Sequence, residues 1–330
     1  MLQGRGVPLP FDSNRQFVDM IVHQVEKAII GKRESVETAV IAFLCGGHIL
    51  LEDVPGVGKT MLVRALAKTV GASFKRIQCT PDLLPSDVTG VSVYLPQTGK
   101  FEFRPGPIMA GVVLADEMNR ASPKTQSALL EAMEERQVTV DGVTHPLPDP
   151  FVLLATQNPV EHEGTFPLPE AQLDRFLLKI RLGYPDEKHE VDMLNRFAER
   201  SPLEDVRPVL LREEWARLQR ETRLVHLDET IKQYIVRIAS ATRTHKDVAL
   251  GASPRASMAL MRTAQAKAFS AGRTYVVPDD VKSLAVATLA HRLVLQPEAR
   301  YTGKSPESIV QQLLAAIPVP AAQPAAGGAR

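Results

Sequence analysis

The sequence predicts an α/β fold in which a mostly parallel sheet is covered by helices and followed by a small all-α unit. Three observations carry that expectation. Short apolar segments recur with helical segments between them, one of them runs straight into a glycine-rich turn and an Ala/Leu-rich helix, and the pattern after residue 207 is helical only.

Taken in order, Phe17, Met20, Ile21, Val25 and Ala28 recur at helical spacing, and Val36, Ala39, Val40, Phe43 and Leu44 do so after Gly31, so two helices precede the first strand. That strand, His48-Ile49-Leu50-Leu51, leads into Glu52-Asp53-Val54-Pro55-Gly56-Val57-Gly58-Lys59-Thr60, after which Met61-Leu62-Val63-Arg64-Ala65-Leu66-Ala67 continues as a helix. Further short buried strands are expected at Phe74–Gln78, 111–115, 151–156 and 176–181. Ser122-Pro123 opens a helix between them, with serine as cap and proline at the first helical position.

Two hairpins interrupt the alternation. Residues 91–95, a turn at 97–100 and residues 101–103 form the first, with its apolar residues expected on one face. Residues 137–140 and 143–145, joined by Asp141-Gly142, form the second, since Asp-Gly is a strong two-residue turn signal. Such hairpins either pad the surface or touch a partner. Beyond them the chain divides into 1–200, a linker at 201–207 bracketed by Ser201-Pro202 and Arg207-Pro208, a helical unit at 208–316, and a disordered Pro/Ala/Gly tail at 317–330.

Composition excludes several classes. A length of 330 residues allows about two domains. With 39 basic and 38 acidic residues the net charge is +1, so no global field draws the chain onto nucleic acid or an anionic membrane. Cys45 and Cys79 are too few for a disulfide framework and too far apart for a C-x-x-C pair, and read as small apolar core residues in a reducing compartment. No run approaches the ~18 apolar residues of a membrane span, and no signal core follows a basic start. The expectation is a soluble, cytoplasmic protein.

The chemistry begins at the glycine-rich turn. Backbone N–H groups at a helix start converge on one spot, Gly56 and Gly58 let the chain approach phosphate, Lys59 adds charge and the Thr60 hydroxyl can ligate Mg²⁺. The strict pattern G-x-x-x-x-G-K-[ST] is not met, because Asp53 stands at its first glycine. The apolar strand Gly111-Val112-Val113-Leu114-Ala115 ends in Asp116-Glu117, at the strand end where ligands sit in open α/β sheets. Asp116 can enter a Mg²⁺ shell and Glu117 can polarise water, although alone the pair would read as a solvated acidic strand end, and the glycine loop is what favours the functional reading. A third apolar strand ends in Thr156-Gln157-Asn158-Pro159, whose asparagine either positions water or caps its own turn. No histidine pair accompanies the acids, which argues against a metal-only hydrolase.

The order of these pieces, completed by Leu173-Asp174-Arg175-Phe176 and Gly251-Ala252-Ser253-Pro254-Arg255, resembles the AAA+ ATPase family. The wording within 114–133, Ala155-Thr156-Gln157-Asn158-Pro159 and 167–176 is similar to its MoxR branch, over about residues 15–300. The resemblance implies an AAA+ P-loop parallel-sheet core with helices on both faces and a small all-α lid, and an aspartate at position 53 is usual for that branch. It implies ATP and Mg²⁺ as cofactors, bound by Asp53, Val54, Pro55, Gly56, Val57, Gly58, Lys59, Thr60, Met61 and Asp116, with Thr60 and Asp116 on the metal. It implies Glu117 as the residue that activates water, Asn158 as first sensor, Arg175 as an arginine finger reaching a neighbouring subunit, and Arg255 as second sensor in its own subunit. Residues 91–103 match the helix-2 insert and 137–146 the pre-sensor-1 hairpin.

Two of these residues also have local arguments. If Ser253 caps and Pro254 begins a helix, Arg255 lies in a first turn where the helix dipole disfavours a cation unless an anion is near. Arg175 is alternatively a structural partner of Asp174 or Glu170, and Arg120, one turn from Glu117, is a further cation available to a subunit interface. The expectation is a ring-forming, most often hexameric, ATP-hydrolysing and chaperone-like protein that remodels or activates a partner or helps insert its metal cofactor. The same resemblance points to a partner with a von Willebrand factor A domain and leaves the client unidentified. A metal-chelatase motor subunit and a nucleotide switch without turnover stay open. A nucleic-acid motor is disfavoured, since Lys100 is the lone cation in 91–103 and Asp141 sits at the second hairpin tip.

Overall fold

The computed structural model describes residues 11–158, 164–199 and 201–320; Pro159 and the expected disordered residues 321–330 lie outside them. Helices α1 (Phe11–Glu26) and α2 (Arg33–Cys45) precede β1 (Ile49–Glu52), and the glycine-rich turn leads into α3 (Lys59–Thr69). Strand β2 (Phe74–Gln78) and the short α4 (Pro85–Thr89) lead into a ribbon of β3 (Gly90–Leu95) and β4 (Lys100–Pro105). The core resumes with β5 (Val112–Asp116) and α5 (Pro123–Glu135), followed by a second ribbon, β6 (Gln137–Val140) and β7 (Val143–Pro146), and then β8 (Val152–Gln157). The short α6 (Glu170–Leu173), β9 (Leu178–Ile180) and α7 (Glu187–Glu199) complete this half.

The sheet runs β2-β5-β8-β1-β9 with every pairing parallel. Alternate strand residues enter two apolar layers, as the pleat requires. Ile49, Leu51, Val112, Leu114, Val152 and Leu154 face α1–α3, while Leu50, Val113, Ala115, Leu153 and Ala155 face α5. The expected α/β core is therefore present, with one correction. Strand β2 is the sheet edge and not a buried strand, for only Ile77 of its five residues is buried. An edge strand has one neighbour, so Arg76 and Gln78 can stay polar and reach sideways.

After a 3₁₀ turn at Pro202–Asp205 the chain forms α8 (Arg212–Thr222), α9 (Glu229–Thr244), α10 (Pro254–Ser270), α11 (Pro278–Leu289), α12 (Pro297–Tyr301) and α13 (Pro306–Ala316). A small antiparallel clip of β10 (Val248–Leu250) and β11 (Val294–Leu295) is added to this helical unit. Its apolar residues, including Tyr234, Leu260 and Phe269, are continuous with the α1–α3 side of the sheet core. Trp215 pins α8 to α2: its ring stacks on Phe43 at 5.4 Å and its Nε1 donates to the Phe43 carbonyl. Both cysteines are free and buried, and burial pushes each thiol up to about 12. Among the described residues no helix is long and apolar enough to cross a membrane.

The hairpins form as expected but their faces do not. Tyr94 pairs with Phe101 and Ser92 with Phe103, while Val91, Val93 and Leu95 share the other face with Arg104, Glu102 and Lys100. The turn closes on the Leu95–Lys100 pair, and that register separates aromatic from aliphatic residues. The ribbon also extends to include Arg104, a second cation. Phe103 stacks on His145 at 3.8 Å, which joins the two hairpins into one projection.

Candidate functional site

The glycine-rich turn is shaped from behind by Asp53. Its Oδ1 accepts from Val54 N at 2.9 Å and its Oδ2 from Leu182 N and Gly183 N at 2.7 and 2.6 Å, which ties the turn to the chain beyond β9. The aspartate at the first glycine position thus acts as a strut. Gly56 and Gly58 have φ of 85° and 93°, a region glycine enters without cost. Gly58 is the N-cap of α3 and brings no side-chain acceptor, so the helix start is open to an anion. Lys59 Nζ donates to the carbonyls of Asp53 and Val54 at 2.5 and 3.1 Å.

Opposite the turn, β5 ends in Asp116, and Glu117 takes a left-handed conformation (φ 56°, ψ 48°) before a 3₁₀ turn. A non-glycine residue held there costs on the order of 1 kcal/mol or more, and such strain gathers at functional sites. Thr156, at the end of β8, holds the bend: its Oγ1 accepts from Glu117 N at 2.7 Å and donates to Asp116 Oδ1 at 2.6 Å. Asp116 Oδ2 accepts from Arg76 Nε and Nη2 at 2.9 and 2.5 Å. Glu117 Oε2 accepts from Gln78 Nε2 at 2.8 Å and Arg120 Nη1 at 3.1 Å. Arg120, still 42% exposed, is thus paired with Glu117 within its own chain.

These groups surround one cavity of about 420 Å³ lined by Pro55, Gly56, Gly58, Lys59, Thr60, Met61, Arg64, Arg76, Asp116, Glu117, Thr156 and Asn158. Nine of the expected site residues meet there, counting Pro55, Gly56, Gly58, Lys59, Thr60, Met61, Asp116, Glu117 and Asn158. Asp53, Val54 and Val57 do not line it; Val57 packs into the core. One carboxylate and one hydroxyl beside a phosphate cradle suit Mg²⁺, which keeps waters and shares phosphate oxygens instead of demanding an all-protein cage. The sequence reading missed Arg76, Gln78 and the role of Thr156. The available signal was that Arg76 and Gln78 stand two apart, on one face of a strand with three polar residues in five.

Arg175 and Arg255 stand elsewhere. Glu134, near the far end of α5, pairs with both, through Arg175 Nη2 at 3.1 Å and Arg255 Nη2 at 2.5 Å. The expectation that Arg255 serves the glycine-loop cavity of its own subunit is corrected: Ser253 caps α10 and donates to Asp174 Oδ2 at 2.9 Å, which places this helix start beside Arg175. Arg175 pairs with neither Asp174 nor Glu170, because Asp174 is taken by Ser253 and by Arg292, whose Nε makes an ion contact at 3.0 Å. A second cavity of about 280 Å³ brings together Arg136, Arg175, Arg255, Arg262 and Arg292 with Glu134, Asp174 and His48. Burial pulls Arg292 down to about 10, against the pull of Asp174. His48 is held to about 4 by burial and by the Arg136 charge; its Nδ1 accepts from Leu153 N, so Nε2 carries the proton toward the Met133 carbonyl.

Comparison with known proteins gives the geometry a family. The profile described as "ATPase family associated with various cellular activities (AAA)" matches residues 48–178, and that of an AAA lid domain matches residues 240–313. The chain is 58% identical to YeaC of Bacillus subtilis over 91% of this chain and 93% of that protein. It is 41% identical to Chaperone MoxR1 of Mycobacterium tuberculosis over 92% of this chain and 82% of that one. A solved structure of a candidate ATPase from Cytophaga hutchinsonii superposes with a TM-score of 0.88 at 40% identity, covering 94% of this chain and 97% of that one. With a glycine-loop cavity, a paired acidic strand end and relatives alike over most of its length, the chain belongs to the MoxR branch of the AAA+ ATPases.

Proposed function

We propose that this chain hydrolyses ATP with Mg²⁺, that its working unit is a closed ring of copies, and that hydrolysis remodels or activates a partner protein in a chaperone-like manner. One observation carries the reading: Lys59, Thr60, Asp116, Glu117 and Asn158 face one another across a single cavity at a helix start. Lys59 exchanges its loop carbonyls for the β/γ-phosphates, and the N–H groups at the start of α3 cradle them. Mg²⁺, held by Thr60 and Asp116, supplies shielding of phosphate charge when bound. Glu117, aimed by its left-handed backbone and by Thr156, orients the attacking water, and Asn158 lies beside it.

Arg175 and Arg255 would complete the site of an adjoining copy. Along α5, Ser122 and Glu134 are twelve residues apart, ~18 Å of helix, more than a side chain bridges. A ring, most often a hexamer in the resembling family, joins the two ends. In this reading 1–200 is the nucleotide-binding core, 201–207 a linker, 208–316 the lid and 317–330 a tail. The joined hairpins offer exposed Tyr94 and Phe101 to a client or to a von Willebrand factor A partner, and insertion of a metal cofactor is one task such a pair could perform. The chaperone name of a relative supports this direction.

Phosphate release and binding of a fluorescent ATP analogue test the reading. Glu117→Gln keeps MgATP affinity within about threefold and loses turnover by roughly 10²-fold or more, while Lys59→Ala loses binding. Normal turnover in Glu117→Gln would remove the assignment of that carboxylate. Co-purification from the native host then separates a von Willebrand factor A protein from a chelatase subunit.

A further inference from the structure

Arg76 reaches sideways from the edge strand β2 to Asp116 on β5. Its Nε and Nη2 both donate to Oδ2, and Nη2 also donates to Gln78 Oε1 at 2.6 Å. Thr156 occupies the other oxygen of the carboxylate. Both oxygens of Asp116 are thus engaged, and its charge is matched by charge-assisted bonds from two guanidinium nitrogens that converge on one oxygen. Asp116 is 8% exposed, whereas the Arg76 side chain is 48% exposed at the mouth of the cavity that holds Lys59 and Thr60.

A strut for the sheet edge is the plainer account of this pair. It explains little, because β2 is already held to β5 by a parallel register of five residue pairs, and a half-exposed ion pair adds little to stability. Glu117 beside it is already met by Gln78 and Arg120 on Oε2. A divalent cation approaching Asp116 meets a positive charge already in contact with the same oxygen, and the two repel.

We propose that Arg76 and the divalent cation compete for Asp116, so that Arg76 sets the metal affinity of the site and turns toward the nucleotide phosphates when it is displaced. This rests on the ATP-site reading above. Its guanidinium Nη1 makes no hydrogen bond among the described residues, and Gln78 is a second anchor that keeps the released fork at the cavity mouth. Arg76 therefore balances the carboxylate's charge in the empty site and adds a cation to the filled one.

Mn²⁺ binding to the nucleotide-free protein, followed by electron paramagnetic resonance, tests the competition without any reliance on ATP binding. Arg76→Ala binds Mn²⁺ roughly tenfold more tightly than the parent chain, the effect of removing one charge-assisted partner. Arg76→Lys, which keeps the charge, stays within about threefold of the parent, and Arg76→Ala with Asp116→Ala loses the gain. A strut would give the reverse, with Mn²⁺ binding weakened in both single variants. Unchanged or weaker Mn²⁺ binding in Arg76→Ala, in protein whose circular dichroism matches the parent, would overturn the competition. For the phosphate contact, Arg76→Ala lowers kcat roughly tenfold at saturating metal and Arg76→Lys restores part of it; an unchanged kcat would overturn that half. Failure of the parent chain to bind a fluorescent ATP analogue would instead overturn the functional reading, and the Mn²⁺ result would stand by itself.

Discussion

The glycine-loop cavity and the arginine cavity lie toward opposite ends of α5 and differ in how their charges are balanced. The first sets Asp116 and Glu117, a hydroxyl and an amide against Lys59, Arg64 and Arg76 around a phosphate cradle, with Arg76 committed to Asp116 and Arg120, outside the lining, to Glu117. The second sets Arg136, Arg175, Arg255, Arg262 and Arg292 against Glu134 and Asp174. Such a division along one rigid helix means that a chain cannot bring its own halves together by side-chain motion. Two copies would, if the base and metal ligands of one met the Glu134-paired arginines of the next.

The largest expected effect probes the cationic side. Arg175→Ala lowers turnover by roughly 10³ to 10⁵, about 4 to 7 kcal/mol, if it supplies finger-type charge in the transition state. Binding of the nucleotide stays within about threefold, since the cradle belongs to the other cavity. Parallel loss of binding and turnover in a fluorescence titration would merge the two regions.

A smaller effect probes the loop side. Asp53→Gly restores the strict glycine pattern and removes a carboxylate that accepts three backbone N–H bonds, so denaturant unfolding should show a loss of about 3 kcal/mol. Improved stability would mean that the aspartate is not the strut described here.

An effect of similar size, confined to acid pH, is a pH dependence on the arginine side. The folded chain holds His48 at about 4, against an ordinary 6.5, chiefly by burial. Between those values the unfolded chain binds a proton that the folded chain refuses, so stability is full above pH 6.5, falls as pH drops toward 4, and levels off below. The fall is up to about 3 kcal/mol. His48→Gln, whose amide does not titrate, flattens that window in urea unfolding; an unchanged slope would assign the acid sensitivity to other groups, with buried His291 next.

What the sequence disclosed follows the same division. Lys59, Thr60, Asp116, Glu117 and Asn158 were legible because each ends or follows an apolar strand in a contiguous motif, and the parallel sheet then brings those strand ends together. Arg76 was not, because only the order β2-β5 makes it a neighbour of Asp116. At Arg255 the local argument succeeded and the assignment failed. Ser253 and Pro254 do open the helix and an anion does lie at its first turn, but that anion is Glu134, 121 residues away in sequence. Arg175 shows the same limit, since its nearest acids in sequence are not its partner. The register of the first hairpin was likewise set by where its turn closes, which hydrophobic alternation alone does not fix.

The central claim, that the two cavities are halves of one shared site, is tested most directly by mixing two inactive chains. Lys59→Ala lacks the cradle and Arg175→Ala lacks the finger, so each alone should be nearly without turnover. In mixed rings an Arg175→Ala subunit presents an intact glycine loop to the intact Arg175 of a Lys59→Ala neighbour, and phosphate release should recover in those pairs. Recovery that tracks the fraction of mixed assemblies is the predicted result; no recovery, with mixed assembly demonstrated by subunit exchange, would contradict the shared site and return Arg175 to a structural role beside Glu134.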